Sequence, residues 1–228
     1  MPDASNNEGG VPLSRVDRVY RFIREAIING EFEPGSPLRL QELADANDMS
    51  LIPVREALRR LEAERLVQTV PNKGARVAAI SADDVIDAYK TRIVLEVAAL
   101  RRAFDRIDDE AISRIREMKD EMVRAFKADD AARALECHRA IHFSLYEQAD
   151  SPWLLYLIEI LWSHTERYRR IATGLHPTYE AVGDEHAKVI EALAARDIDA
   201  AAEALRLDLE HTAELIVAAY RDEAPVRA

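Results

Sequence analysis

His138 and His142 stand four residues apart in a helix-forming stretch, a spacing that sets both imidazoles on one helix face within reach of a single ion. Two imidazoles make a weak site, so further ligands have to come from other segments. His186, which follows Asp184 and Glu185, and the pair Asp208 and His211, three residues apart, are the candidates. Imidazole with carboxylate suits zinc, nickel, iron or manganese, and spacing does not choose among them. The competing reading is a set of ordinary helix-surface histidines: His138, His142, His164, His176, His186 and His211 all lie beyond residue 130. Cys137 points about 100° away from His138 on a helix, which suits a buried thiol better than a ligand. Trp153, Trp162 and Tyr168 fit core or pocket wall rather than a stacking platform.

A second constellation lies in the stretch Ser50–Glu62, SLIPVREALRRLE. On a helical period Val54, Leu58 and Leu61 share the buried side, while Arg55 and Arg59, four apart, face outward. A helix packed by one apolar face and presenting free guanidinium groups on the other can read DNA, because the planar fork of arginine matches guanine edges and phosphate oxygens. The bland alternative pairs Arg55, Arg59 and Arg60 with Glu56, Glu62 and Glu64 on a solvated helix.

The surrounding elements favour the DNA reading. Val16, Val19, Tyr20, Ile23, Ala26 and Ile27 recur at three and four, which predicts a helix over Ser14–Asn29 closed by Gly30. Glu33–Pro37 reads as a turn. A short helix is expected over Leu40–Ala46 and another over Ile52–Glu64, with Ser50 as its N-cap and Pro53 in its first turn. From Leu66 to Ile80 the period changes to two short strands around Pro71–Gly74, and Asn72-Lys73-Gly74 is the candidate wing tip. Helix, helix, turn, helix and hairpin is the order of a winged helix-turn-helix. Beyond Ser81 the pattern is all helical: Ser81–Phe104, Asp108–Ala128, Asp130–Ala149, Pro152–Ala172, a loop at Thr173–Pro177, then Tyr179–Ala195 and Ile198–Arg221. Short polar connections between these helices imply an antiparallel bundle. The fold class expected is therefore mainly α, with a tail over 1–12, a winged helix-turn-helix over 13–80, an all-helical domain over 81–222 and a tail over 223–228.

Composition sets limits. The 228 residues are 48% hydrophobic and 32% charged, with a net charge of −11, which argues against a basic coat that wraps nucleic acid. The charge is uneven. Residues 1–80 hold eleven Lys and Arg against twelve Asp and Glu, and residues 81–228 hold twenty against thirty. The acidity belongs to the helical part, and DNA affinity has to rest on a few placed arginines and on two reading heads acting together. A single cysteine excludes an internal disulfide, no apolar run is long enough to span a membrane, and the first ten residues lack the pattern of a signal peptide. A cytoplasmic protein is expected.

Ile28–Leu38 (INGEFEPGSPL), Leu43-Ala44 and Pro53–Leu61 (PVREALRRL) together resemble the DNA-binding domain of the GntR family of transcription regulators, over about residues 13–79. The resemblance implies that Arg55 meets the operator in the major groove, that Gln41 stands where an arginine often touches DNA, and that Gly74 is the wing glycine. With Ser50, Ile52, Arg59 and Lys73 these make the expected DNA-reading set. Three positions depart from the family pattern: Leu51 replaces an arginine, and Asp48 and Arg65 replace glycines.

Residues 82–221 resemble the FCD effector domain of the FadR-type branch, through Tyr89–Arg92 with Glu96, His142–Leu145, Glu185-His186 and the alanine-rich last helix. Many such domains hold a divalent metal with one aspartate and three histidines. Here His138 stands where the aspartate belongs and Asp208 where the last histidine does, so the implied set is His138, His142, His186 and Asp208, with zinc first among the metals. A shift of three residues in the last helix would put His211 in place of Asp208. Arg92 matches a position that points into the effector cavity, where it would hold a carboxylate beside the metal; its alternative is an ion pair with Glu96. The function implied is a homodimeric repressor whose operator affinity a small organic acid switches. A metal-dependent hydrolase built on the helical domain and a metal-free helical sensor are the alternatives.

Overall fold

A computed structural model describes the backbone of residues 13–175 and 179–223, and the side chains of residues 13–170 and 185–219. The tail expected over 1–12 and His176 lie outside the described residues. The chain divides into two compact units, Met1–Ala79 and Ile80–Ala228.

The first unit holds α1 (Arg15–Ile28), α2 (Leu40–Ala46), α3 (Leu51–Ala63), β1 (Val67–Val70) and β2 (Gly74–Val77). Ser14 caps α1 by accepting the Asp17 N–H. Val19, Ile23 and Ile27 of α1, Leu43 of α2 and Val54, Leu58 and Leu61 of α3 close on one core with Leu66. Each such side chain contributes roughly 1.5–3 kcal/mol on burial. Strands β1 and β2 pair antiparallel from Val67 opposite Val77 to Val70 opposite Gly74.

One local expectation is corrected. Ser50 occupies the N-cap of α3 with extended backbone, but its hydroxyl accepts no capping bond. The third helical residue is Pro53, which lacks the N–H that such a cap would take. At the hairpin, Pro71–Lys73 form the turn and Gly74 closes it opposite Val70, with positive φ of 61° at Asn72 and 73° at Gly74. The Glu33–Pro37 turn also runs beside β2, where Gly35 and Leu38 donate to the carbonyls of Val77 and Ala75.

The second unit consists of α4 (Ala82–Ala103), α5 (Asp109–Lys127), α6 (Ala131–Tyr146), α7 (Pro152–Leu175), α8 (Tyr179–Ala194) and α9 (Ile198–Glu223). Ser81, Asp108 and Asp130 cap α4, α5 and α6 through side-chain oxygens. Helix α4 packs on α6, α7 and α9, while α5 packs on α6 and α8, and α8 on α9. The expected Thr173–Pro177 loop is replaced over Thr173–Leu175 by the end of α7. Gly174 weakens a helix by only about 1 kcal/mol. Helix α6 ends earlier than expected, at Tyr146, and a single 3₁₀ turn carries the chain through Ala149.

Candidate metal centre and nucleic-acid face

Helix α6 supplies His138 and His142, α8 supplies His186 and α9 supplies Asp208, and all four are buried. His142 Nε2 lies 3.1 Å from His138 Nε2 and 3.1 Å from His186 Nε2. Asp208 Oδ2 is 3.4 Å from His142 Nε2, and Asp208 Oδ1 is 3.9 Å from His186 Nδ1. Nitrogens bound to zinc at about 2.0–2.1 Å lie roughly 2.9 Å apart at right angles and roughly 3.4 Å apart in a tetrahedron, so the observed spacing suits one ion between them. Asp208 Oδ1 is buried with no hydrogen-bond partner, an acceptor that a cation would satisfy. His211 stands apart from this group, with its Nδ1 2.6 Å from Glu185 Oε1. His164 is engaged elsewhere, 2.7 Å from Asp84 Oδ2.

Electrostatics sets the protonation states. Burial, then the Arg169 charge and the neighbouring imidazoles, push His138 well below the ordinary histidine range. Burial also lowers His142, although Glu96 and Asp208 partly oppose it. Neutral imidazole is the form that ligates metal.

Around this centre sits a second layer of buried groups. Arg92 and Glu96 of α4 form an ion pair, with Nε 2.6 Å from Oε1, at 3% and 0% side-chain exposure. Burial alone would raise Glu96, but the Arg92 charge and its bonds outweigh this and hold the carboxyl at about 2. Tyr146 Oη donates to Glu96 Oε2 at 2.5 Å and lies 3.0 Å from His142 Nδ1. Arg92 Nη1 donates to Thr165 Oγ1, its guanidinium stacks 4.4 Å over Trp162, and its Nη2 is buried with no hydrogen-bond partner. Arg169 Nη2 is 2.9 Å from His138 Nε2. Arg92 thus makes the ion pair with Glu96 and keeps one buried donor, Nη2, without a partner. The sequence reading missed Tyr146, Thr165 and Arg169. Tyr146 continues the 138, 142 stripe by another four residues, a signal that was present; Thr165 and Arg169 carried none.

Trp162 and Tyr168 are buried, whereas Trp153 is 75% exposed and is neither core nor pocket wall. It is the second residue of α7, and its ring meets Tyr156 at the surface rather than the core. Cys137 is buried, and burial raises its thiol.

On the first unit, Arg55 is exposed and has no ion pair among the described residues, while Arg59 makes only a 3.8 Å contact to Glu56 at high exposure. Arg60 turns away to Asp17 of α1 at 2.8 Å, Glu62 accepts the Thr69 N–H, and Glu64 accepts from Tyr20. The pairing alternative therefore fails for Arg55. Ser50 and Lys73 are exposed, Ile52 is 77% exposed, and Gln41 is exposed but donates to Asp45 at 2.8 Å.

Residues 15–77 match the bacterial regulatory protein domain of the gntR family, and residues 87–211 match the FCD domain. The chain belongs to the GntR family. Its relatives include the HTH-type transcriptional regulator BphR of Paraburkholderia xenovorans, 30% identical over 89% of this chain and 85% of that one. The HTH-type transcriptional repressor GlaR of Escherichia coli K12 is 32% identical over 83% of this chain and 90% of the relative. A GntR regulator from Rhodococcus sp. RHA1 superposes with a TM-score of 0.77 at 29% identity, covering 91% of this chain and all of that one. The E. coli McbR/YncC structure shares the fold, with a TM-score of 0.79 at 20% identity over 92% of this chain. This GntR-family chain is a DNA-binding transcription regulator and not an enzyme, so the hydrolase alternative is set aside. The departures from the family pattern also find their places. Asp48 and Arg65 take φ of 50° and 59°, the left-handed backbone that glycine adopts freely. Leu51 packs on the core and leaves Ile52 outward.

Proposed function

We propose that the regulator is a homodimeric, cytoplasmic repressor whose helical unit holds one divalent metal, zinc first, through His138, His142, His186 and Asp208. The observation that carries this reading is the meeting of three buried imidazole Nε2 atoms, 3.1 Å from His142 to each neighbour, beside a buried carboxylate. A bound divalent ion supplies a Lewis-acidic anchor for an oxygen ligand. The effector is a small organic acid: one carboxylate oxygen goes to that anchor, and the open Nη2 of Arg92 donates to the acid. Binding shifts the population of the two reading heads and lowers operator affinity. Arg55, Arg59, Ser50, Ile52 and Gln41 on or before α3, with Lys73 and Gly74 at the hairpin, meet the DNA, and two-fold symmetry matches a pseudo-palindromic operator.

A metal-free sensor is favoured by one observation: Arg169 places a permanent cation 2.9 Å from His138 Nε2. Metal analysis of the purified protein before and after chelation separates the two. One equivalent of metal, lost in His142→Ala and kept in His211→Ala, supports the metal reading. Absence of metal, with an unaltered response to organic acids in His142→Ala, sinks it.

A further inference from the structure

We propose that Tyr146 and Glu96 are positioning residues of the metal centre, fixing His142 as the Nδ1–H tautomer so that its Nε2 lone pair is committed to the ion. The inference rests on the metal reading and adds residues outside the ligand set.

The direction of each hydrogen bond follows from counting protons. Glu96 Oε1 receives the Arg92 Nε–H at 2.6 Å, and Glu96 Oε2 faces Tyr146 Oη at 2.5 Å. An ionised carboxylate only accepts, and a phenol has a single proton. That proton goes to Glu96, so Tyr146 can only accept from His142 Nδ1, 3.0 Å away. Nδ1 therefore carries the hydrogen of the neutral imidazole, and Nε2 is left with a lone pair. The same count applies to His138. A guanidinium has donors only, so Arg169 Nη2 donates to His138 Nε2 at 2.9 Å and that nitrogen is also unprotonated. The Arg169 bond therefore occupies the His138 Nε2 lone pair, 3.1 Å from that of His142, and an ion bound between the two has to displace this donor.

The line Arg92–Glu96–Tyr146–His142 is buried along its whole length, with relative exposures of 3%, 0%, 0% and 1%. Hydrogen-bonded carboxylates behind a metal-bound histidine orient the ring and raise its basicity, and their removal typically weakens metal binding about 10–100-fold. Here a tyrosine is interposed between the two. The line also begins at the arginine assigned above to the acid, so ligand capture and metal affinity draw on the same carboxylate and should be reciprocally coupled.

The test is zinc affinity of the full chain, measured by competition with a chromophoric chelator after dialysis against a stronger one. Tyr146→Phe removes one oxygen and should weaken zinc binding about 10–100-fold. His142 Nδ1 is 3.7 Å from Glu96 Oε2, so a direct bond after side-chain movement would place the loss at the lower end of that range. Nitrogen-15 NMR of the imidazoles in metal-free wild type supplies a second answer that needs no variant: His142 should be the Nδ1–H tautomer. Wild type that binds one equivalent of zinc while Tyr146→Phe binds within twofold of it overturns the positioning role and leaves the metal reading intact. An Nε2–H tautomer for His142 overturns it as well. Wild type that binds no zinc overturns both.

Discussion

Glu96→Gln should destabilise the helical unit far more than Arg92→Met, and replacing both should be milder than Glu96→Gln alone. The pair meets at 2.6 Å with 3% and 0% side-chain exposure, so neither charge is relieved by solvent when its partner goes. Arginine cannot shed its proton. In Glu96→Gln the guanidinium keeps its charge with only an amide oxygen to meet it, and breaking a buried pair in this way costs about 3–5 kcal/mol. Glutamate has an escape. Without Arg92 the burial that now opposes ionisation dominates, the carboxyl rises from about 2, and a proton neutralises it. The double variant leaves neither charge of the pair behind, and such replacements often come out near neutral. At about 2–4 °C per kcal/mol for a unit of this size, Glu96→Gln should lower the melting temperature by roughly 6–20 °C. Differential scanning calorimetry at pH 7 with chelator present keeps metal coupling out of the comparison. A drop under ~3 °C for Glu96→Gln, or a double variant less stable than both singles, would refute the reasoning.

Arg55→Ala should weaken operator binding by about 1–3 kcal/mol, roughly 5–150-fold, and Lys73→Ala should lower the steepness of the salt dependence by about one. Fluorescence anisotropy with the DNA upstream of its own coding sequence measures both, and an Arg55→Ala protein of full affinity removes α3 as the reading helix. Arg65 holds a φ of 59°, which costs a non-glycine residue about 1–2 kcal/mol against the 0.5–1 kcal/mol of extra chain entropy that glycine loses. Arg65→Gly should therefore stabilise the first unit by up to ~1 kcal/mol in urea titrations; a loss of stability would show that the arginine side chain matters more than its backbone. Asp84 feels a burial that raises it, but bonds from Tyr168 and His164 outweigh this and lower its carboxyl below the usual 3.8. A lowered folded value means stability that is present above 3.8, declines as pH falls below it and is lost as pH falls through the lower folded value. The urea-midpoint gap between wild type and Asp84→Asn should thus shrink as pH falls below about 3.8, and a gap unchanged at pH 3 contradicts the assignment.

The fold was largely legible because the strongest local signals agree with one another. The stripe of α1, the positive φ of 79° at Gly30 and the buried Val54, Leu58 and Leu61 of α3 each read directly from residue type and spacing. What spacing could not show was competition between two rules at one place. Ser50 is a good cap by type, yet Pro53 removes its partner, and both facts were in the sequence without the geometry that makes them conflict. Asp48 and Arg65 looked like departures from a glycine pattern; their left-handed backbone shows that the chain keeps the geometry and bears the strain.

The candidate metal site was legible in composition but not in register. Asp208 and His211 sit three apart on α9, close enough that either could be turned toward His142 by a small rotation of the helix. Packing of α8 on α9 separates them. Glu185 and His186 are adjacent on α8, so their side chains leave the helix about 100° apart, and each meets a different residue of α9. Glu185 takes His211 at 2.6 Å, which turns the latter toward the half-exposed side, and His186 lies 3.9 Å from Asp208 in the interior. The Glu185–His211 pair thereby acts as a register pin for the buried one: a rotation that brought His211 inward would break its bond to Glu185 and carry a carboxylate out of a site that already holds three imidazoles. Charge favours the observed arrangement too, since one carboxylate offsets part of a divalent charge that four histidines would leave whole.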